Sequence, residues 1–225
     1  MAIFEKLDIG FMETRKLKIT KHARYFVSGK PSNDITQVWL ICHGYGQLGN
    51  YFLRHFEFLQ DGKALFIGCE GLHRFYSNGF SGRVGASWMT KEDRLDDIAD
   101  YITYLDGVYS LVMESLPSSV KVTVLGFSQG AATVCRWISA GNQKVDQLIL
   151  WAGVIPPDVD LTFSQKRFQT FLTRMVVGDE DEFIKEEDVE ALSQKLGASG
   201  IPVELLTFQG KHELSPEILL ELFIS

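Results

Sequence analysis

The pentapeptide Gly126-Phe127-Ser128-Gln129-Gly130 lies between an extended apolar run and a run of small residues. Val120-Lys121-Val122-Thr123-Val124-Leu125 alternates and is rich in β-branched side chains, which predicts a buried strand. Ala131-Ala132-Thr133-Val134-Cys135-Arg136-Trp137-Ile138 predicts a helix that begins with small side chains. A serine on such a strand-to-helix turn is forced into a strained backbone conformation, with its hydroxyl pushed out beyond the sheet. Gly126 and Gly130 suit that turn, because side chains two positions either side of the serine would collide where strand and helix meet. A solvated serine in a Gly-rich turn is the bland alternative. The strand before and the helix after favour the elbow.

Strand and helix alternate from Gln37 to the C-terminus. Apolar runs at 37–42, 63–69, 145–153, 168–177 and 202–208 read as further strands. Helices are expected at about 51–60, from Lys91 with Thr90 as N-cap, at about 186–196, and from Ser215 with Pro216 in its first position. This order predicts an α/β fold with a mostly parallel central sheet and helices on both faces. Residues Phe11 to Thr20 and Ala23 to Ser28 read as an N-terminal antiparallel hairpin turning near Lys21-His22. The 225 residues suit one α/β domain over 1–225.

A formal net charge of −7 gives no electrostatic reason to expect nucleic acid or an anionic membrane as partner. Met1 to Asp8 carries charges where a signal peptide needs an apolar stretch, and no apolar run is long enough to span a bilayer. The expectation is a cytoplasmic protein without integral membrane association, either monomer or homodimer. Cys42, Cys69 and Cys135 form no CxxC pair and lie in apolar stretches, as buried thiols of a reducing compartment would.

Ligands of parallel α/β sheets gather beyond the carboxyl ends of the strands. His43-Gly44-Tyr45, Ser128, Asp181 and His212 each follow a predicted strand. A serine hydroxyl needs a base to take its proton as it attacks. His212, in the loop after the last strand, is the candidate. His43 is its rival, but its pairing with Gly44 suits a loop-shaping role. The imidazole in turn needs a carboxylate to hold its tautomer and stabilise its cation. Asp179, Glu180, Asp181 and Glu182 crowd the preceding loop; Asp181 is favoured and Asp179 is the runner-up. A tetrahedral oxyanion needs two preorganised donors. These are expected from the backbone N–H of Gln129, after the nucleophile, and of Tyr45 in His43-Gly44-Tyr45-Gly46.

Taken together, Leu40-Ile41-Cys42-His43-Gly44-Tyr45-Gly46, Gly126-Phe127-Ser128-Gln129-Gly130-Ala131, Gly178-Asp179-Glu180-Asp181 and Lys211-His212 resemble the phospholipase/carboxylesterase family of α/β-hydrolases. That group contains the acyl-protein thioesterases and many small bacterial esterases. The resemblance covers the chain from about Gln37 onward. It implies an α/β-hydrolase fold, a Ser128–His212–Asp181 triad and an oxyanion hole of Tyr45 and Gln129. Its spacing places the acid three residues after the glycine, which ranks Asp181 over Asp179. The chain departs from the family at Gly68-Cys69-Glu70, where an Ala-Pro step is usual. It departs again at Glu182-Phe183-Ile184, where proline and an aliphatic pair usually follow the acid, and from Leu72 to Trp88. Protein depalmitoylation is therefore not implied.

Residues 70–89 read as a long loop carrying Gly71, Gly79, Gly82 and Gly85 among aromatics. It is the candidate lid, with Phe75, Tyr76, Phe80, Trp88 and Met89 as candidate substrate-binding residues. The equal alternative is that these aromatics simply anchor the loop on the core. Arg74 and Arg83 read as solvated or as contacts for an acidic substrate. The expected activity is hydrolysis of small-molecule carboxylic esters or thioesters through an acyl-enzyme on Ser128, with no metal or organic cofactor. The alternatives are an inactive hydrolase-fold binding protein and an amidase or peptidase on the same triad.

Overall fold

The computed structural model describes residues 12–225. Its seven-stranded sheet has the spatial order β1 (Tyr25–Ser28), β3 (Ala64–Cys69), β2 (Gln37–Cys42), β6 (Lys121–Phe127), β7 (Gln147–Trp151), β8 (Leu172–Gly178) and β9 (Val203–Phe208). All neighbours are parallel except β1, which runs antiparallel to β3 with Tyr25 opposite Cys69. The N-terminal antiparallel pairing is thus present, but the strand's partner is β3 and not a preceding hairpin arm. Residues 12–20 form no strand, and Phe11 lies outside the described residues.

The alternation of side chains builds a core on each face of the sheet. Val38, Leu40, Leu65, Ile67, Val122, Val124, Leu148 and Leu150 point to one side. There they meet α2 (Arg94–Met113), α3 (Gln129–Ala140) and α5 (Glu186–Ala198). Trp39, Ile41, Phe66, Leu125, Ile149 and Trp151 point to the other. They meet α1 (Gly49–Leu53), the 3-10 turn Arg54–Leu59 that continues it, and α6 (Pro216–Ile224). Because both faces are covered, the central strands are mostly apolar on both sides. Cys42, Cys69 and Cys135 are free and buried in this core. No described helix is long and apolar enough to cross a membrane.

Three local expectations change. Residues 70–89 are not a loop but an antiparallel ribbon, β4 (His73–Asn78) and β5 (Ser81–Ser87). Thr90 does not cap α2; that position is Asp93, at φ 48° and without a side-chain cap. The segment expected as the start of a strand at Phe168 is the end of a helix, α4 (Leu161–Phe168), and β8 begins at Leu172. By contrast Ser215 caps α6 as expected, with its Oγ accepting from the Ile218 N–H at 3.3 Å and Pro216 next to it.

Asp160 starts α4, its Oδ1 accepting from Thr162 N–H at 2.8 Å and Phe163 N–H at 3.3 Å. An N-cap of this kind contributes about 1 kcal/mol. Asp160→Ala should therefore lower the melting temperature by about 2–4 °C, which thermal denaturation followed by circular dichroism would show.

Candidate active site

Ser128 sits at φ 53°, ψ −115° between β6 and α3, the strained turn that its sequence context predicts. Two glycines make the turn possible. A Cβ on Gly126 would lie 2.4 Å from the Gly130 carbonyl oxygen, and one on Gly130 would lie 2.2 Å from that of Cys42. The Ser128 N–H is bonded to the Trp151 carbonyl at the end of β7, 2.8 Å away, so the elbow is tied to the neighbouring strand.

His212 and Asp181 come together from the loops after β9 and β8. His212 Nδ1 lies 2.8 Å from Asp181 Oδ2, and the aspartate side chain is fully buried. Its other oxygen accepts from the N–H groups of Phe183 at 2.8 Å and Ile184 at 3.0 Å. A carboxylate facing Nδ1 holds the proton there and leaves Nε2 as the free base. The imidazole packs between the rings of Phe127 and Phe183, at 5.0 and 4.8 Å. Asp179 does not face the imidazole nitrogen. Its Oδ1 accepts from Gly210 N–H at 3.0 Å and fixes the histidine loop. Trp151 fixes that loop from below, its Nε1–H donating to the Glu213 carbonyl at 2.8 Å.

Ser128 and His212 line one cavity of about 650 Å³, together with Gly44, Tyr45, Gln47 and a mostly apolar wall. That wall is Phe127, Ala132, Ala152, Val154, Pro156, Pro157, Phe183 and Ile184. Ser128 Oγ makes no hydrogen bond to His212 in this structure; such bonds often tighten only as substrate binds. Of the three non-glycine residues at positive φ among the described residues, Ser128 and Ala152 both line this cavity. A cleft of about 590 Å³ adjoins it through Pro156 and Pro157 and one of about 670 Å³ lies elsewhere, and neither is lined by a histidine.

The N–H of Tyr45 donates to no described acceptor, and that of Gln129, in the first position of α3, has no intrahelical partner. Gly44 keeps the space before them open. A Cβ there would lie 3.2 Å from Ser128 Cβ and 2.9 Å from the Phe127 ring.

The five aromatic and methionine positions expected to bind substrate do not line the cavity. Trp88 is fully buried: its Nε1–H donates to the His43 carbonyl at 2.8 Å, and its ring packs against Tyr101. Phe75 stacks under Tyr45 at 5.2 Å. Met89 packs on the core, while Tyr76 is half exposed and Phe80 wholly exposed at the ribbon tip. Much of the apolar wall that does line it escapes sequence reasoning, because Pro156-Pro157 and Phe183-Ile184 look like ordinary loop. Arg74 is paired with the buried carboxylate of Glu70 at 3.1 Å, and Arg83 lines a different cleft.

His43 is buried and does not line the cavity. Its Nε2 accepts from Gly71 N–H at 3.0 Å, so the proton sits on Nδ1, 2.7 Å from the Gly44 carbonyl. It braces the loop, as its pairing with Gly44 suggests.

A family model described as serine hydrolase (FSH1) matches residues 35–216. The chain belongs to that family. No curated protein sequence matches it. Among solved structures it is similar to Zea mays acyl-protein thioesterase 2, with 19% identity, a TM-score of 0.69, and coverage of 90% of this chain and 97% of that one. It is also similar to esterase PE8, with 20% identity, a TM-score of 0.68 and coverage of 90% and 96%. A Bacillus cereus carboxylesterase shares 14% identity at a TM-score of 0.60, with coverage of 90% and 93%. At these identities the likeness shows the α/β-hydrolase fold.

Burial lowers the pKa of His43 below its ordinary 6.5, because the cation would be desolvated. Below pH 6.5 the unfolded chain binds a proton that the folded protein does not, so stability falls as the solution is acidified from there toward the folded-state value. The slope from this one group cannot exceed about 1.4 kcal/mol per pH unit. His43→Gln should be less stable at neutral pH and lose this part of the acid slope, as urea titrations from pH 7 to 5 would show.

Proposed function

We propose that this member of the serine hydrolase family cleaves carboxylic esters or thioesters with Ser128 as nucleophile, His212 as base and Asp181 as orienting acid. The observation that carries the reading is the 2.8 Å Asp181–His212 bond beside a cavity shared with the strained Ser128. In this mechanism Ser128 Oγ attacks the acyl carbon while His212 Nε2 takes its proton. The N–H groups of Tyr45 and Gln129 receive the oxyanion, aided by the positive end of the α3 dipole. The protonated imidazole then hands its proton to the leaving alkoxide or thiolate. Water activated by the same nitrogen attacks the acyl-enzyme and releases the acid.

The cavity wall favours an uncharged acyl group. Its side chains are apolar apart from Ser128, Tyr45, Gln47 and His212, and the Asp181 carboxylate is buried behind the imidazole. An acyl chain against Ala132, Val154 and Pro156 would gain about 0.8 kcal/mol for each methylene it buries.

A fluorophosphonate probe tests the assignment. Native protein should be labelled on Ser128 and should hydrolyse p-nitrophenyl butyrate. Ser128→Ala should abolish both, and His212→Ala should slow turnover by at least about 10³-fold. Labelling at another residue, or an unlabelled native protein, would contradict the reading and favour an inactive binding protein. Faster cleavage of matched anilides than of esters would instead favour an amidase.

A further inference from the structure

The two amides assigned to the oxyanion come from segments that are distant in sequence, the loop after β2 and the first turn of α3. One short stretch of chain, Ala86 to Met89 at the end of the ribbon, bonds to both. Ala86 grips the first segment at two points: its carbonyl accepts from Gly46 N–H at 2.8 Å, and its N–H donates to the Gln47 carbonyl at 2.9 Å. Gly85 permits this approach, since a Cβ there would lie 2.5 Å from the Gly46 carbonyl oxygen. The Trp88 indole adds the bond to the His43 carbonyl.

The second segment is held by a side chain. Gln129 Oε1 accepts from Trp88 N–H at 3.1 Å, and Gln129 Nε2 donates to the Met89 carbonyl at 2.9 Å. A carboxamide offers an acceptor and a donor side by side to match a backbone N–H and C=O, where an ionised carboxylate offers acceptors alone. Ser87 Oγ, itself donating to the Met89 carbonyl at 2.9 Å, lies 3.3 Å from both polar atoms of Gln129. The residue whose backbone N–H meets the oxyanion is therefore anchored by its own side chain to the strand that holds the other donor.

We propose that the carboxamide of Gln129, docked on Ser87–Met89, is a positioning device that sets the spacing between the Tyr45 and Gln129 amides. The ribbon expected to act as a lid serves as a brace for the oxyanion hole. The inference rests on the esterase reading of Ser128. It concerns transition-state stabilisation and not substrate capture. Displacing an oxyanion donor by a fraction of an ångström weakens a contact made fully only in the transition state, so the loss belongs in kcat.

Gln129→Met keeps the length of the side chain and removes both bonds. With p-nitrophenyl butyrate its kcat should fall about 10- to 100-fold with KM within about twofold of wild type, and the affinity for a trifluoromethyl ketone should fall in parallel. A kcat within twofold of wild type, or a loss confined to KM, overturns the brace. Should Gln129→Met not be recovered folded, Gln129→Glu decides. Its carboxylate accepts from Trp88 N–H but has no proton for the Met89 carbonyl until it is protonated. At pH 8, where that carboxylate is ionised, the variant's kcat should fall at least about tenfold with KM within about twofold of wild type, and a kcat within twofold of wild type overturns the proposal. Wild-type turnover with both variants unimpaired sinks the brace alone. A wild type without Ser128-dependent turnover sinks the esterase reading and the brace with it.

Discussion

A serine held at φ 53°, ψ −115° is the constraint around which this molecule is arranged. An L-residue does not rest there unaided, and conformations of this kind cost about 1–3 kcal/mol. The surroundings that impose it are specific. Gly126 and Gly130 let the strand and helix backbones touch, and the Ser128 N–H is satisfied by the Trp151 carbonyl. The same strain places Ser128 on the cavity and leaves the Gln129 N–H at the start of α3 without an intrahelical partner. An accessible hydroxyl and a free amide beside it are thus two consequences of one backbone conformation.

The rest of the site is delivered by the sheet. Parallel strands end on the same edge, so the loops after β2, β6, β8 and β9 meet there although their residues lie up to 169 positions apart, from His43 to His212. Each loop is then pinned separately: His43 by Gly71 and Trp88, the histidine loop by Asp179 and Trp151, and the acid loop by the N–H groups that bond Asp181. Polar groups in this layer mostly find partners in backbone atoms. That is how a buried polar network stays rigid at low cost in desolvation.

What the sequence revealed was what local chemistry encodes. The apolar strands, the elbow glycines and the Ser215-Pro216 start of α6 each follow from short-range sterics or hydrogen bonding, and apart from the start of β8 each is close to where expected. That His212 and the acidic loop would meet was legible because strand ends fix where such residues lie, whereas the choice of Asp181 over Asp179 came from the spacing of the family the chain resembles. The ribbon was not. Its glycines and aromatics read as a loop because β4 is largely exposed and lacks a clear alternation of burial. Trp88 read equally as a pocket wall and as a core anchor, because nothing in the chain near it shows that His43 and Tyr101 enclose it. The antiparallel partner of β1 was hidden for the same reason: β3 lies some forty residues on, and hairpin reasoning looks only to the next segment. The helix α4 escaped because its eight residues are mostly polar, with Phe163 facing outward.

In the proposed chemistry Ser128 bonds covalently to the substrate while the Tyr45 and Gln129 amides hold the oxygen that becomes negative. A crystal structure of the fluorophosphonate adduct measures this geometry without intermediaries. The phosphoryl oxygen should lie about 2.7–3.1 Å from both backbone nitrogens, with His212 Nε2 beside Ser128 Oγ. A phosphoryl oxygen turned away from both amides and exposed to solvent would contradict it.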